Sequence, residues 1–187
     1  MRIRLALALM VMSAGGVIAQ VTNYQPPGNL APTMDPGCVA LAEVDARLSP
    51  PDLALGVLAC GRDAKWEAAA DLYVLMLLRS SFDVARVKDA TAHQAGDVLS
   101  LQVSDALSDA DRASIGNALA SFGDPAGPRK LAFCEAAKAL GASQHDPSWM
   151  LQHGIGAFLG TKGDGLVKGF DPAAAWDRII REDMTCG

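Results

Sequence analysis

The strongest hydrophobic pattern in the chain lies in residues 63–78, DAKWEAAADLYVLMLL. Spacings of i, i+3, i+4 and i+7 place the following residues on one helix face: Trp66, Ala69, Ala70, Tyr73 and Leu77. From Leu72 onward the segment is apolar on every side, and such a helix is buried unless it spans a bilayer, which takes about 20 residues. Residues 63–78 are therefore predicted to form a central helix that other helices cover.

Shorter amphipathic segments flank this helix. Before it, apolar spacing predicts one helix over residues 38–48, and Ser49-Pro50 begins a second that ends near Gly61. After it, a break over residues 80–83 precedes a longer helix over residues 83–101. Capping residues or prolines begin four further helices, at Ser108, Gly127-Pro128, Asp146-Pro147 and Asp171-Pro172. Because alternating β-branched runs are absent, the predicted fold is all-α, a compact bundle of about seven or eight helices around the central one.

The N-terminal sequence predicts export. Arg2 and Arg4 precede a short apolar stretch, and Val17-Ile18-Ala19 ends on a small residue, which is typical of a secretory signal peptide over residues 1–19. Residues 20–37 hold four prolines and predict an extended, mobile arm. Residues 38–187 form the predicted single helical domain. The expected location is the periplasm or the extracellular medium, without a stable membrane anchor after cleavage.

All four cysteines lie after the predicted signal peptide, at Cys38, Cys60, Cys134 and Cys186. An even number of cysteines in an exported chain predicts two disulfides, for which three pairings exist. We favour Cys38–Cys60, which flanks one short predicted helix, and Cys134–Cys186, which ties the C-terminus to a helix. No C-x-x-C element or ligand-like His spacing favours a zinc site instead.

Charge narrows the choice of partner. The chain has 16 Lys and Arg against 21 Asp and Glu, a net charge of −5. Removal of Arg2 and Arg4 leaves 14 basic residues against 21 acidic ones, a net charge of −7. Nucleic acids and anionic membranes both attract clusters of Lys and Arg, and the sequence contains no basic run. The expected partner is therefore another protein, while the pattern does not specify an oligomeric state.

Candidate chemistry is sparse. His145 and His153 are eight positions apart, and with Asp146 or Asp164 they form the only metal-site candidate, although the spacing is not that of H-E-x-x-H. A capping role for Asp146 and a buried hydrogen bond for His153 are the alternative. The sequence has no G-x-S-x-G element and no phosphate-binding glycine loop, so no cofactor is predicted.

The glycine-rich segment 160–169 predicts a flexible loop, in which Lys162, Asp164 and Lys168 are candidates for partner contact. Together these features favour a binding protein over an enzyme. The specific hypothesis is a periplasmic inhibitor or immunity protein that blocks a toxic or lytic enzyme, because an acidic surface speeds encounter with a basic one. Two alternatives stay open: an envelope enzyme or metal-binding protein that uses His145 and His153, and a helical scaffold for envelope assembly.

Overall fold

The computed structural model describes residues 26–160 and 163–186. The predicted signal peptide and the first part of the arm, residues 20–25, lie outside the described residues. Within them the chain forms eight α-helices: α1 (Pro50–Arg62), α2 (Trp66–Arg86), α3 (Ala95–Ala106), α4 (Asp109–Ala120), α5 (Pro128–Leu140), α6 (Ser148–Leu151), α7 (Gly156–Leu159) and α8 (Pro172–Glu182). Short 3₁₀ helices cover Leu41–Glu43 and Ala90–Gln94. The described part contains no strand beyond an isolated bridge between Val87 and Leu166, so the all-α prediction is confirmed.

Helix α2 is the centre of the bundle, as predicted. It packs against α1, α3, α4 and α8, and Leu72, Leu75 and Met76 are fully buried. Near its C-terminal end, the Phe82 ring makes edge-to-face contacts with Phe170 and Trp176. None of the helices in the described ranges has the length and apolar character needed to cross a membrane.

The predicted break at residues 80–83 is wrong, because α2 continues to Arg86. The hydroxyl of Ser80 donates to the Met76 carbonyl one turn earlier, so this serine is accommodated inside the helix. The interruption comes later, where the Lys88 amide donates to the Gly165 carbonyl instead of continuing the helix. The helix predicted over residues 83–101 is therefore split between the end of α2 and α3.

Residues 38–48 form only one turn of 3₁₀ helix, at Leu41–Glu43, where a longer helix was predicted. The apolar residues of this segment are buried as expected, including Leu41, Val44 and Leu48. Tertiary donors bind the backbone carbonyls at the end of this segment. The Asp45 and Leu48 carbonyls accept from the Arg79 guanidinium, and the Ala46 carbonyl accepts from the Gln144 amide.

Both predicted disulfides are confirmed, Cys38–Cys60 and Cys134–Cys186. The first joins the segment before α1 to the last turn of that helix. The second joins α5 to the C-terminal segment. The described part of the arm, residues 26–37, has no helix and is anchored, because the Thr33 and Met34 amides donate to the buried Asp52 carboxylate.

Candidate functional site

The most concentrated chemistry in the molecule surrounds Asp83, in the penultimate turn of α2. Its carboxylate is fully buried and accepts three side-chain donors. Oδ2 accepts from Nε2 of His145 at 2.7 Å and from Nε1 of Trp149 at 2.6 Å, while Oδ1 forms an ion pair with Arg86 at 2.6 Å. Because the carboxylate only accepts, Nε2 of His145 carries its hydrogen.

His145 extends this chain of hydrogen bonds. Its Nδ1 lies 2.5 Å from the hydroxyl of Ser143, which in turn contacts the Ala46 carbonyl at 3.2 Å. The order Ser143–His145–Asp83 is that of a nucleophile, a base and an acid in serine hydrolases. However, the three residues are only 6%, 5% and 0% exposed, so no substrate carbonyl can reach the Ser143 hydroxyl in this conformation. The arrangement instead binds the loop before α6 to the central helix.

Two further buried charges hold the segment before α1. Arg79 is 1% exposed, and burial lowers the pKa of its guanidinium to about 10, which leaves it protonated at neutral pH. Its donors reach the Asp45 and Leu48 carbonyls. Asp52 caps α1 together with Ser49 while it also holds the arm. These ionisable groups are thus used within the fold.

The metal candidates from the sequence have other partners. Both ring nitrogens of His145 are hydrogen-bonded, as described above. Nδ1 of His153 lies 2.9 Å from Oδ1 of Asn29, and partial burial lowers the pKa of the imidazole. Asp146 accepts from the Ser148 amide, but the N-cap of α6 is Pro147, so the predicted capping role of Asp146 is wrong. In residues 26–160 and 163–186, no group of three or more His, Cys, Asp or Glu side chains is placed to hold a metal ion.

The predicted contact loop forms one wall of a groove of about 710 Å³. Lys162 lies outside the described residues, whereas Asp164 and Lys168 are exposed. The other wall comes from α6 and α7. Sequence reasoning missed an exposed set at α7, which we call the apolar patch: Ile155, Phe158 and Leu159. Val167, in the loop, is also exposed. The available signal in the sequence was the pair of glycines on either side of residues 155–159. Glycines this close together predict a very short helix, which leaves part of an apolar run uncovered.

A second groove, of about 460 Å³, lies between α2, α3 and α8. We call it the acidic groove: its lining includes Leu77, Asp97, Ile179, Glu182 and Asp183. Arg178 and His93 also line it. Leu77 belongs to the apolar run of α2, yet it is 39% exposed at this place. The groove therefore combines apolar contact area with three carboxylates.

Comparison with known proteins adds no relative: no family model, curated protein or solved structure matches this chain.

Proposed function

We propose that this protein is an exported binding protein, specifically an inhibitor or immunity protein that binds a basic toxic or lytic enzyme through the acidic groove. The observation that carries the proposal is the groove itself, in which carboxylates stand beside exposed apolar area. The two disulfides support export to an oxidising compartment such as the periplasm.

Charge at the groove favours a basic partner. Among the described residues, neither Asp97 nor Glu182 forms an ion pair, and the same is true of Asp183. These carboxylates are exposed, so their field extends into solvent and can speed the approach of a cationic surface. Leu77 adds the apolar contact that a specific interface needs at its centre.

The interior chemistry supports binding rather than catalysis. Asp83, His145 and Arg79 are the groups that an enzyme would be expected to present, and all three are buried in internal hydrogen bonds. What the acidic groove presents to solvent is apolar area and negative charge. An inhibitor requires those properties and no reactive group.

The test uses the exported protein, expressed with its predicted signal sequence and purified with both disulfides formed. It serves as bait for envelope and secreted proteins. The expected result is a stoichiometric complex with a hydrolase or toxin whose activity falls as the protein is added. Binding should weaken in Asp97→Asn/Glu182→Gln, and salt should weaken the native complex. Failure to capture or inhibit such an enzyme contradicts the proposal, and a stable complex with a structural envelope protein would support the scaffold alternative.

The chain offers a matched control, Asp105→Asn/Asp111→Asn. It also removes two negative charges, and it does so at equivalent helix positions. Asp111 lies in the first turn of α4, as Asp97 does in α3. Asp105 lies near the C-terminal end of α3, as Glu182 does in α8. If control and test variants lose affinity equally, net charge is responsible and the acidic groove is not the binding site.

A further inference from the structure

A pocket of about 200 Å³ lies where α4 meets α1, α2 and α3, and we call it the α4 pocket. Its apolar lining comes from these four helices and from the residue that follows α3: Val57, Tyr73, Val103, Leu107, Ile115 and Leu119. Val57, Val103 and Ile115 are buried, while the other three are half-buried, so the pocket has an apolar floor and opens toward solvent. Among the described residues, its lining shares no member with that of the acidic groove.

The composition of α4 leaves this space unfilled. The helix is rich in alanine, and Ile115 is the one residue along it that is buried. Gly116 lines the pocket, and a Cβ at that position would meet no atom within 4 Å. The neighbouring wall is closely packed, since a Cβ at Gly61 would lie 3.3 Å from Cδ2 of Leu107. Protein interiors rarely leave gaps larger than a water molecule, so a space of this size between packed helices suits a ligand.

The charge at the pocket is already balanced within the fold. Arg112 is the charged residue of the described lining, and its Nη1 donates to the Ser104 carbonyl at 2.6 Å and to the Ser104 hydroxyl at 3.1 Å. Its Nη2 pairs with the Asp109 carboxylate at 2.5 Å. A charged ligand would therefore lose water without gaining an unpaired counter-charge, and charge complementarity favours an uncharged occupant.

Tyr73 supplies a polar group for recognition. Its side chain is half-buried on α2, and within residues 26–160 and 163–186 its hydroxyl forms no hydrogen bond. A tyrosine hydroxyl both donates and accepts, and it usually has a partner when it is withdrawn from water. A ligand with one hydrogen-bonding group beside its apolar body would supply that partner.

The volume sets the size of the ligand. An apolar cavity of about 150 Å³ binds benzene, so the α4 pocket has room for one ring with a small substituent. Larger drug-sized ligands occupy pockets of about 300–1,000 Å³ and would not be enclosed.

We propose that the α4 pocket binds a small uncharged single-ring molecule that carries one hydrogen-bonding group, such as a phenol. The ring would contact Val57, Val103 and Ile115, and the polar group would bond to the Tyr73 hydroxyl. This ligand-binding activity goes beyond the proposed inhibition of an enzyme and uses a different face of the bundle.

Saturation-transfer NMR titrations of the exported protein test the proposal with three probes: phenol, toluene and benzoate. Phenol and toluene have nearly the same shape, and only phenol can bond to Tyr73. Both should bind, whereas charged benzoate should bind more weakly than phenol. Tyr73→Phe should weaken phenol binding by on the order of threefold to tenfold, the usual effect of one hydrogen bond, and should leave toluene binding unchanged.

A second variant fills the pocket. Gly116→Leu places a side chain in the open space and should abolish binding of both phenol and toluene. Ala113→Leu is the matched control, because it adds the same side chain at an exposed position of α4 that does not line the pocket. It should bind both probes like the native protein. Position 116 is also exposed and leucine favours helix more than glycine does, so thermal unfolding should show both variants folded.

The inference is overturned if phenol does not bind, if benzoate binds as tightly as phenol, or if Gly116→Leu and Ala113→Leu behave alike. It is also overturned if Tyr73→Phe weakens toluene binding as much as phenol binding. If no probe binds but Gly116→Leu loses a captured protein, the pocket receives a side chain of that protein instead of a small molecule. Asp97→Asn/Glu182→Gln should bind phenol normally, so the proposed function and this inference fail separately.

Discussion

Replacing Asp83 by alanine should destabilise the protein by about 3–5 kcal/mol, the usual loss when one partner of a buried charged pair is removed. The lost hydrogen bonds of three side chains account for this free energy. Nε2 of His145 and Nε1 of Trp149 would lose their shared acceptor in a region where both residues are almost completely buried. Each unsatisfied donor costs about 1–3 kcal/mol. Arg86 would lose less, because its side chain is 12% exposed and can turn toward water.

The assay is urea unfolding at neutral pH, followed by circular dichroism with both disulfides intact. Neither disulfide joins α2 to the loop before α6, so the Asp83 cluster is the connection being tested. In thermal unfolding of the same variant, the midpoint temperature should fall by roughly 6–20 °C, at 2–4 °C per kcal/mol for a domain of this size. Asp83→Asn should lose less than Asp83→Ala, since its amide oxygen can still accept from His145 and Trp149.

A matched surface control is Asp109→Ala, which removes a fully exposed carboxylate paired with Arg112 and should leave the midpoint unchanged. A double-mutant cycle of Asp83→Ala with Trp149→Phe should show clear coupling, because each replacement removes one end of the same hydrogen bond. If the free energy of unfolding of Asp83→Ala lies within about 1 kcal/mol of the native value, the Asp83 cluster does not stabilise the fold.

Three other outcomes are expected. Burial raises the pKa of Asp71 to about 6, although Arg129 opposes the shift. The folded state therefore holds an extra proton between about pH 4 and 6, and the free energy of unfolding falls as pH rises through that window. Asp71→Asn should flatten the dependence of the urea midpoint on pH. Gly154→Ala should lower the free energy of unfolding by roughly 1–3 kcal/mol, because the new methyl group overpacks against Ala92. The control Gly116→Ala lies on open helix surface and should not destabilise the protein. Thermal unfolding measures both effects. A fluorophosphonate probe should leave Ser143 unlabelled in the native protein, and labelling that Ser143→Ala abolishes would restore the enzyme hypothesis.

The parts of the fold that could be predicted are those set by local pattern. The apolar run of α2 and the caps at Ser49, Ser108 and Asp171 need only neighbouring residues, and all three caps form as expected. The disulfide pairs followed from the order of cysteines along predicted helices. The helix and cap signals depend on a few consecutive positions, whereas the disulfides join residues 22 and 52 positions apart and were paired only through the predicted helices.

The errors have the opposite cause, contacts between distant residues. Residues 38–48 show helical spacing, but only one 3₁₀ turn forms, and the Arg79 guanidinium, 31 positions from Leu48, binds a carbonyl at the end of the segment. The link between His145 and Asp83 spans 62 positions. Local reasoning named His145 as a metal-site candidate because it could not show that a buried carboxylate and a serine contact both ring nitrogens.

The same limit applies to charge. A net charge of −5 is a property of the whole chain and does not show where its carboxylates lie. In the folded protein, Asp97 of α3 lines the same groove as Glu182 and Asp183 at the end of α8, although they are far apart in the sequence. A local excess of negative charge thus arises from the packing of helices, which composition does not reveal.

Asp83 also links the interior to the surface. It fixes Trp149 in α6, and the Trp149 carbonyl receives the Leu30 amide, while α6 leads through Gly154 to the apolar patch. The buried cluster therefore determines where the chain enters the domain and where the patch is presented. Binding through the acidic groove should survive conservative changes such as Asp83→Asn as long as the domain stays folded, since no residue of the Asp83 cluster lines that groove. This separation of internal polar chemistry from external contact is what a binding protein requires.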